Sequence, residues 1–356
     1  MRITLSISLA LIALSAAAPA AAREVASLTR VDAQSVTLDR GEIVPVDMWI
    51  SKDDRIDAND RKLDAAIIKA AARGDKVTLP IAANERRYVL LKDKGGGKLV
   101  VAGERVLPIE QGSNFRDIGG YVTKDGRTVR WGKAFRSGAM PLFTEADYAL
   151  VEQLGIGTVV DLRSLEEREI APDQIDDRTG ALFVTNDYSV KPLMANYGKG
   201  KGENVYKGME QMLVPQLRSL YRRIEANEGA VVYHCSAGQD RTGMATAILY
   251  DMLGVDRDTI LKDYHMSTAL RRPQYEMPKV NPADYPNNPM LNYYFSGDEK
   301  KRATAEPLYT PSGASHLAQF FTYIDGQYGG SEGYMKKALG LTDADIAKLR
   351  AVMLTQ

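Results

Sequence analysis

Cysteine is nearly absent from this sequence: Cys235 is the single cysteine among 356 residues. One cysteine cannot form a disulfide within the chain, so a disulfide-stapled scaffold is excluded. The chain has only three histidines, His234, His265 and His316, and their spacing is not that of metal ligands. We therefore expect no metal and no cofactor.

An excess of either charge is also missing. Lys plus Arg and Asp plus Glu both number 46, whereas nucleic-acid-binding proteins usually carry a basic excess. Hydrophobic residues make up 44% and charged residues 26% of the chain, the balance of a globular protein rather than of a disordered or polytopic membrane protein. We expect no nucleic-acid partner and no stable membrane insertion.

An apolar run lies at the N-terminus. Met1 and Arg2 provide a positive start, residues 3–18 are rich in Leu, Ile and Ala, and residues 19–22 form a small-residue cleavage site before Arg23. This is the layout of a secretory signal peptide, and the run is shorter than the ~20 residues of a membrane span. An uncleaved anchor is the alternative. We expect residues 1–22 to be a signal peptide and the mature protein to be secreted, or periplasmic in a Gram-negative bacterium.

Residues 23–110 contain short β-branched and aromatic runs separated by turn residues. These runs predict strands at residues 36–38, 43–50, 76–79, 87–91 and 98–101. Their spacing predicts a small all-β, sandwich-like accessory domain with antiparallel strands. Residues 63–73 are Ala-rich and fit either a helix or a further strand. The segment lacks His and Cys, so we expect a binding or spacer role, with a partner that the sequence does not identify.

From residue 111 to residue 356, strands alternate with helices. Buried-type strands are predicted at 157–162, 182–185 and 230–234, and helical periodicity follows over 244–253. This alternation predicts an α/β domain with a central, mainly parallel sheet flanked by helices. Residues 272–311 are rich in Pro, Asn and Tyr and predict an irregular insertion. The end of the chain is predicted to be helical, with Thr342 at a helix start.

The chemistry is concentrated in residues 230–243, which are Ala-Val-Val-Tyr-His-Cys-Ser-Ala-Gly-Gln-Asp-Arg-Thr-Gly. A hydrophobic strand leads into Cys235, five residues intervene, and Arg241 follows where a helix begins. The intervening N–H groups can form an anion-binding nest, and the helix N-terminus adds unpaired N–H groups. The Arg241 guanidinium matches two oxygens of a phosphate, and Gly238 allows close approach of the backbone to an anion.

The same positive elements favour the thiolate form of Cys235. A thiolate in a phosphate-shaped cradle can attack phosphorus and form a cysteinyl-phosphate that water hydrolyses. We expect His234 to orient the loop and Thr242 to donate a hydrogen bond to the sulfur when it becomes the leaving group. A buried core cysteine is the alternative. The residues expected to bind the phosphate are Ser236, Ala237, Gly238 and Gln239.

This loop resembles the signature loop of the bacterial tyrosine phosphatase-like family, which includes secreted dual- and triple-specificity phosphatases. The similarity extends to residues 114–121, 125–127, 135–138 and 159–164, and to a terminal helix at 339–346. It spans about 114–350 and leaves residues 24–110 outside. The resemblance implies a protein tyrosine phosphatase-like fold, with Cys235 as nucleophile and Arg241 as phosphate clamp.

The resemblance also implies the general acid. In this family the Asp directly before the loop Arg is thought to be the general acid, and that residue is Asp240 here. Asp187 is the alternative, because classical tyrosine phosphatases carry the acid on a separate loop. Four further residues match family blocks, namely Asp161, Arg163, Arg116 and Arg136. We assign Asp161 and Arg163 to substrate binding. Structural ion pairs are the alternative for all four.

One position departs from the family. Gln239 stands where a Lys associated with phosphoinositide recognition is common, which weakens the expectation of selectivity for multiply phosphorylated inositols. The predicted activity is hydrolysis of phosphotyrosine in proteins or small phosphomonoesters, with phosphoserine and phosphothreonine as additional candidates. The alternatives are a phosphoinositide or inositol phosphate phosphatase and a non-catalytic phosphoprotein-binding module.

Overall fold

The structure is a computed structural model of the chain and describes residues 26–39, 46–72, 77–82, 85–94, 97, 99–191, 205–291 and 304–355. The signal peptide expected at residues 1–22 lies outside these ranges. Within them, no helix combines the length and the apolar character that crossing a membrane requires.

The first part of the described chain forms one mixed sheet. Its strands are β1 (Ser27–Asp32), β2 (Ser35–Asp39), β3 (Val46–Ser51), β4 (Arg61–Lys62), β5 (Val77–Pro80), β6 (Tyr88–Asp93) and β7 (Leu99–Glu104). The strand order is β4-β3-β6-β7-β1-β2-β5. Neighbours are antiparallel except β1 and β7, which pair in parallel over two residue pairs. Met48 on β3 and Leu79 on β5 belong to one apolar cluster, so the sheet folds back over a shared core.

Helix α1 (Ala65–Ala72) decides the alternative at residues 63–73 in favour of a helix. Asp64 precedes it and accepts hydrogen bonds from the backbone N–H groups of Ala66 and Ile67, which is a helix-capping arrangement. The accessory region is thus sandwich-like around one core, but it contains a helix and one continuous sheet instead of strands alone. Strands β1 and β4 are additional to those predicted.

The second part is built on a mainly parallel sheet, as predicted. In the described chain its order is β11-β10-β12-β9-β8. The strands are β8 (Arg116–Asp117), β9 (Ala134–Ser137), β10 (Ile156–Asp161), β11 (Leu182–Thr185) and β12 (Ala230–His234). Strand β8 alone among these is antiparallel to its neighbour. Strand β12 is therefore central, which puts its C-terminal end in the middle of one sheet edge.

Helices cover both faces of this sheet. Along β12, Val231 and Tyr233 pack in one apolar cluster, whereas Ala230 and Val232 pack in another on the opposite face, as alternation along a strand requires. The helices are α2 (Glu145–Glu152), α3 (Leu165–Ile170), α4 (Ile175–Thr179), α5 (Met209–Met212), α6 (Val214–Ala226), α7 (Asp240–Leu253), α8 (Arg257–Leu270), α9 (His316–Tyr328), α10 (Ser331–Lys337) and α11 (Asp343–Met353). This part of the chain therefore has the α/β architecture that the alternation of strands and helices predicted.

Two sequence expectations for the C-terminal part are confirmed. Thr342 caps α11: its side chain accepts a hydrogen bond from the N–H of Asp345, whose side chain accepts one from the N–H of Thr342. In its described residues, the segment predicted to be irregular contains only short elements: two 3-10 turns, Pro273–Tyr275 and Pro282–Asp284, and helical residues at 289–291. Both features follow from local residue chemistry.

The two parts of the chain are in direct contact. The indole Nε1 of Trp131 donates a hydrogen bond to the carbonyl of Val101 at 2.9 Å. The buried side chains of Arg86 and Asp117 form an ion pair across the same contact, and the Arg105 guanidinium lies 3.8 Å from the centre of the Tyr121 ring. The accessory sheet therefore packs against β8 and the segment after it. The domain boundary at residue 110 stays a prediction.

Candidate active site

Cys235 lies directly after central strand β12, and its side chain is only 2% exposed. The loop that it begins leads into α7, whose first residue is Asp240. Burial would lower the pKa of Arg241, but its interaction with Glu167 raises that pKa well above its usual value. The cysteine is thus a buried residue, as the alternative interpretation held, and it begins the same loop that leads to the predicted phosphate clamp.

Gly238 is required by the backbone of this loop. Its φ is +67°, and a Cβ atom there would lie 2.5 Å from the carbonyl oxygen of Ser137 and 2.6 Å from the nitrogen of Gly138. The positive φ disfavours side chains, and the approach to the end of β9 leaves no room for one. The loop therefore sits directly against a neighbouring strand. This adds a structural reason for the glycine beside the predicted approach to an anion.

Two side chains hold the carbonyl groups of the loop. Asn114 Nδ2 donates to the carbonyl of Gly238 at 2.9 Å and to that of Ala237 at 3.3 Å. Arg136 Nη2 also donates to the Gly238 carbonyl, at 2.9 Å. A trans peptide directs its N–H opposite to its C=O, so the N–H groups of Gly238 and Gln239 point away from these donors. This arrangement suits the predicted anion-binding nest.

Arg136 and Arg116 are held by a single buried carboxylate. Arg136 Nη1 lies 2.8 Å and Arg116 Nε 3.3 Å from the oxygens of Asp263 on α8. Burial alone would raise the pKa of Asp263, but the two guanidinium groups lower it to about 2. Both arginines are buried. The structural alternative is therefore favoured for Arg116 and Arg136, which brace the loop from behind.

Glu167 on α3 holds Arg241. Nη1 and Nη2 of Arg241 each lie 2.6 Å from one oxygen of Glu167, and Nε takes no part in these bonds. Burial would raise the pKa of Glu167, but the Arg241 charge lowers it to about 2. Ser236 Oγ donates to the same carboxylate. The guanidinium is thus charged and fixed in orientation beside the loop.

Tyr188 is a second contact of the clamp. Its hydroxyl accepts a hydrogen bond from Arg241 Nη1 at 2.8 Å and donates to the Leu162 carbonyl at 2.9 Å. Burial raises the pKa of Tyr188 to about 12 despite the opposing charge of Arg241, so the hydroxyl stays protonated. Tyr188 therefore fixes Arg241 without adding charge.

Asp161 and Arg163 lie in a buried ion-pair network below the loop. Arg163 Nη2 lies 2.7 Å from Asp161 Oδ2 and 2.8 Å from Asp173 Oδ2. Burial would raise the pKa of Asp161, but Arg163 and His234 hold it well below its usual value. Asp161 and Arg163 are at most 1% exposed. Their expected part in substrate binding stays a prediction, but they bond to each other instead of lining an exposed surface, which favours a supporting role.

His234 joins the same network. Its Nε2 lies 3.0 Å from Asp173 Oδ2 and 3.7 Å from Asp161 Oδ2. Ligand atoms of Asp161, Asp173 and His234 lie within 4.8 Å of one another, a grouping that sequence spacing did not predict. Arg163 already supplies positive charge to both carboxylates, so the group is accounted for as an ion-pair network. The expected loop-orienting role of His234 stays a prediction, as does the expectation that no metal is used.

The two candidate acids occupy different environments. Asp187 has a side chain that is 60% exposed and forms an ion pair with Arg168. Asp240 is half-buried at the start of α7, and its Oδ1 accepts a hydrogen bond from the hydroxyl of Tyr206 at 2.7 Å. This geometry favours Asp240, because it lies in the loop itself whereas Asp187 is engaged at the surface.

Gln239 and Thr242 are both buried. Gln239 Oε1 accepts a hydrogen bond from Arg271 Nη1 at 2.8 Å, and Arg271 is also paired with Glu276. Thr242 Oγ1 has no hydrogen-bond partner among the described residues. Its hydrogen bond to the sulfur is therefore not formed in this structure and stays a prediction for the reaction.

The geometry places a cysteine and a fixed arginine in one loop at the edge of a mainly parallel sheet. Residues 107–355 match the model of the tyrosine phosphatase family, and the chain belongs to this family. It is a phosphatase enzyme.

The chain is also similar to individual proteins. A tyrosine-protein phosphatase from Nostoc commune is 27% identical over 231 residues, which are 60% of this chain and 72% of that protein. The triple specificity protein phosphatase PtpB of Mycobacterium tuberculosis is 28% identical over 279 residues, 68% of this chain and 96% of that protein. The crystal structure of P. aeruginosa TpbA is 19% identical and covers 39% of this chain and 71% of that one, with a TM-score of 0.26.

Several residues that build the site were not predicted from the sequence. Glu167 had a local signal, since Ser164 and Glu167 form a capping box at the start of α3, but that pattern does not reveal a contact with Arg241. Asn114 lay in a block that resembled the family without a role assigned to it. The others carried no local signal, namely Asp173, Tyr188, Tyr206 and Asp263.

Proposed function

We propose that this phosphatase hydrolyses phosphotyrosine monoesters, in proteins and in small molecules, through a cysteinyl-phosphate intermediate and without a metal ion. One observation carries the proposal: both oxygens of Glu167 hold Arg241 at 2.6 Å, at the start of the helix that follows the Cys235 loop. A guanidinium fixed in this way can bind two phosphate oxygens without first being ordered, which is the preorganisation that charge stabilisation requires.

In the proposed first step the Cys235 thiolate attacks phosphorus. The S–P bond forms as the ester P–O bond breaks, and the phenolic oxygen takes a proton from Asp240. The non-bridging oxygens are stabilised by Arg241 and by the loop N–H groups, two of which point away from Asn114 and Arg136. The products of this step are the free phenol and phosphocysteine.

In the second step a water molecule attacks the phosphocysteine. The S–P bond breaks, Asp240 takes one proton from the water, and inorganic phosphate leaves. The departing sulfur receives a hydrogen bond from Thr242, whose hydroxyl has no other partner in the described chain. The cycle restores a protonated Asp240 and a thiolate, so it needs no co-reactant besides water.

The lack of net positive charge near Gln239 favours phosphotyrosine over multiply phosphorylated inositols as the substrate. Gln239 is uncharged, and the cation that contacts it, Arg271, is paired with Glu276 through two bonds of 2.8 Å. This corner of the site therefore adds no net positive charge for a second phosphate. We include phosphoserine and phosphothreonine in the proposed range, since one curated relative is named a triple specificity phosphatase.

We also propose that the protein acts after export, in the periplasm or outside the cell. The support is the apolar leader at residues 1–22 with its small-residue cleavage site. Secretion fits a chain with one cysteine. In an oxidising compartment this cysteine has no second thiol in the same chain with which to form a disulfide. N-terminal sequencing of the protein from the periplasm and the medium should find Arg23 as the first residue. Recovery of the intact N-terminus in the cytoplasm would contradict export.

A substrate panel tests the activity. The purified protein should hydrolyse a phosphotyrosyl peptide faster than inositol phosphates, and a chelator should leave the rate unchanged. Cys235→Ser should abolish hydrolysis while the circular dichroism spectrum stays that of the parent. Activity that survives Cys235→Ser, or that a chelator removes, would contradict the mechanism, and faster turnover of inositol phosphates would contradict the substrate class.

A further inference from the structure

A pair of buried tyrosines lies beside Asp240, outside the loop and outside the proposed chemistry. Tyr206, which precedes α5, is 1% exposed, and its hydroxyl donates to Asp240 Oδ1 at 2.7 Å. The Tyr206 hydroxyl is also hydrogen-bonded to that of Tyr264 on α8. Because Tyr206 uses its proton toward Asp240, Tyr264 is the donor in the second bond. The result is a chain of two hydroxyls that ends on one carboxyl oxygen.

Both hydroxyls remain protonated donors at ordinary pH. Burial, followed by the charge of Asp240, raises the pKa of Tyr206 and that of Tyr264 well above the usual value of a phenol. Neither tyrosine can therefore serve as a base near neutrality. The part left to them is to hold Asp240 by hydrogen bonds.

Aromatic packing fixes the rings. Tyr206 packs edge-on against Tyr264 and Phe320, with ring centres 6.4 Å and 6.1 Å apart. On α7, a Cβ at Gly243 would lie 2.9 Å from the Tyr264 ring. Gly243 follows Asp240 by one helical turn, so the glycine makes room for Tyr264 against the helix that carries the acid. This gives a reason for the glycine that ends the sequence motif.

One further titratable group, His316, lies near Tyr206 and Asp240. His316 lies with its ring centre 6.1 Å from that of Tyr206. Burial lowers the pKa of His316, and the charge of Asp240 opposes this effect. Tyr206, Tyr264 and His316 are thus titratable neighbours of Asp240 in the described chain.

We propose that Tyr206 is a positioning residue for Asp240, and that Tyr264 holds Tyr206 in place. The inference rests on the proposed function, in which Asp240 gives a proton to the leaving oxygen. With Oδ1 occupied by the Tyr206 hydroxyl in both protonation states, the transferable proton is confined to Oδ2. The orientation of the acid is then set by residues from two elements outside the phosphate loop.

The test compares two substrates that differ in their need for an acid. Phenyl phosphate releases a poor leaving group, whereas 2,4-dinitrophenyl phosphate releases one that needs no proton. Tyr206→Phe keeps the ring and removes the hydroxyl. We expect its kcat/KM for phenyl phosphate to fall about tenfold, a fraction of the ~100- to 10,000-fold that general acid–base catalysis supplies, while the dinitrophenyl ester changes less than about twofold.

A pH profile supplies a second readout. Removing a donor to the ionised carboxylate disfavours that form, so the alkaline limb of the kcat/KM profile for phenyl phosphate should move to higher pH in Tyr206→Phe. Tyr264→Phe should shift both readouts in the same direction and by less, and it serves as the second variant if Tyr206→Phe fails to fold.

The matched control is Tyr221→Phe, which removes another buried hydroxyl, bonded to the Ala245 carbonyl on α7. This variant should alter neither the ratio of kcat/KM between the two substrates nor the alkaline limb of the pH profile.

Two outcomes would overturn the inference while leaving phosphotyrosine hydrolysis through a Cys235 phosphocysteine intact. The first is an equal loss on both substrates in Tyr206→Phe with an unmoved alkaline limb, which would indicate a packing role. The second is an Asp240→Asn variant that loses no more on phenyl phosphate than on the dinitrophenyl ester, which would place the acid elsewhere. Failure of the proposed function itself is separate, because it shows as activity that survives Cys235→Ser.

Discussion

At the scale of single residues, the site is held by charges that are buried in pairs. Glu167 and Arg241 form such a pair, with Glu167 only 3% exposed. A buried pair is weak evidence for net stability, but removing one partner is costly because the other charge is left uncompensated. Glu167 therefore serves both the fold and the orientation of Arg241, the proposed phosphate clamp.

Replacing Glu167 should expose this coupling. We expect Glu167→Gln to lower the free energy of unfolding by about 3 kcal/mol near neutral pH and to weaken inhibition by inorganic phosphate, because the guanidinium is no longer fixed. Urea denaturation and phosphate inhibition measure the two effects. The matched control is Glu152→Gln, at an exposed position on α2, and a Glu167→Gln variant as stable as this control would contradict the assignment.

The same pair predicts a pH dependence. The pKa of Glu167 is lowered to about 2 in the folded protein, against ~4.3 in an unfolded chain. The stabilisation by ionised Glu167 is thus fully present above about pH 4.3 and is lost as pH falls toward 2. Accordingly, the stability difference between the parent protein and Glu167→Gln should shrink as pH falls from about 5 to about 3, and a constant difference would contradict this.

At the scale of elements, the loop between β12 and α7 depends on a backbone that only glycine adopts without strain. Gly238→Ala would combine a positive φ with a Cβ 2.5 Å from the carbonyl oxygen of Ser137. We expect at least ~100-fold lower kcat/KM, because the loss of one N–H group that stabilises a transition state lowers kcat by a factor of about 10²–10³. Steady-state kinetics with a phosphotyrosyl peptide measure the loss.

A second glycine is the control for this change. Gly326 lies within α9, and a Cβ there would meet nothing within 4 Å. Gly326→Ala should keep full activity and raise the free energy of unfolding by up to about 1 kcal/mol, since alanine is the better helix former. Gly238→Ala with parental kinetics would show that the loop backbone tolerates a side chain.

The elements differ in how far local sequence could predict them. Strands β10, β11 and β12 and most of α7 were predicted within a residue or a turn, because each is a continuous apolar or periodic run. Strands β8 and β9 were not, since they have two and four residues and exist through pairing, β9 with β12 and β8 with β9. Helix α1 was left open because an Ala-rich run with two isoleucines fits both structures.

At the scale of the whole molecule, the accessory sheet and the phosphatase part share a buried ion pair. Arg86 is 7% exposed and Asp117 is fully buried, and the Asp117 side chain also accepts bonds from the N–H groups of Gly119 and Gly132 at 2.7 Å. Asp117 neighbours Arg116, which belongs to the network behind the phosphate loop. We therefore expect the two parts to unfold together.

Arg86→Ala tests this coupling. It leaves Asp117 buried without its cation, so we expect a loss of about 3–5 kcal/mol and a lower melting temperature for the single transition in differential scanning calorimetry. Arg87→Ala is the matched control, because the neighbouring Arg87 pairs with Glu85, whose side chain is 41% exposed. Two separate transitions in the parent protein, or equal effects of the two variants, would contradict a shared interface.

The sequence by itself determined what is local: the strand–loop–helix order around Cys235, the helix caps, the alternation of strands and helices, and the resemblance to a phosphatase family. Tertiary structure alone decided which charges meet. Arg241 and Glu167 are 74 residues apart, and Arg136 and Asp263 are 127 apart. A local pattern reports the preference of a backbone segment, whereas the partner of a buried charge depends on which distant segments the fold brings within hydrogen-bonding distance, because burial without a partner is too costly.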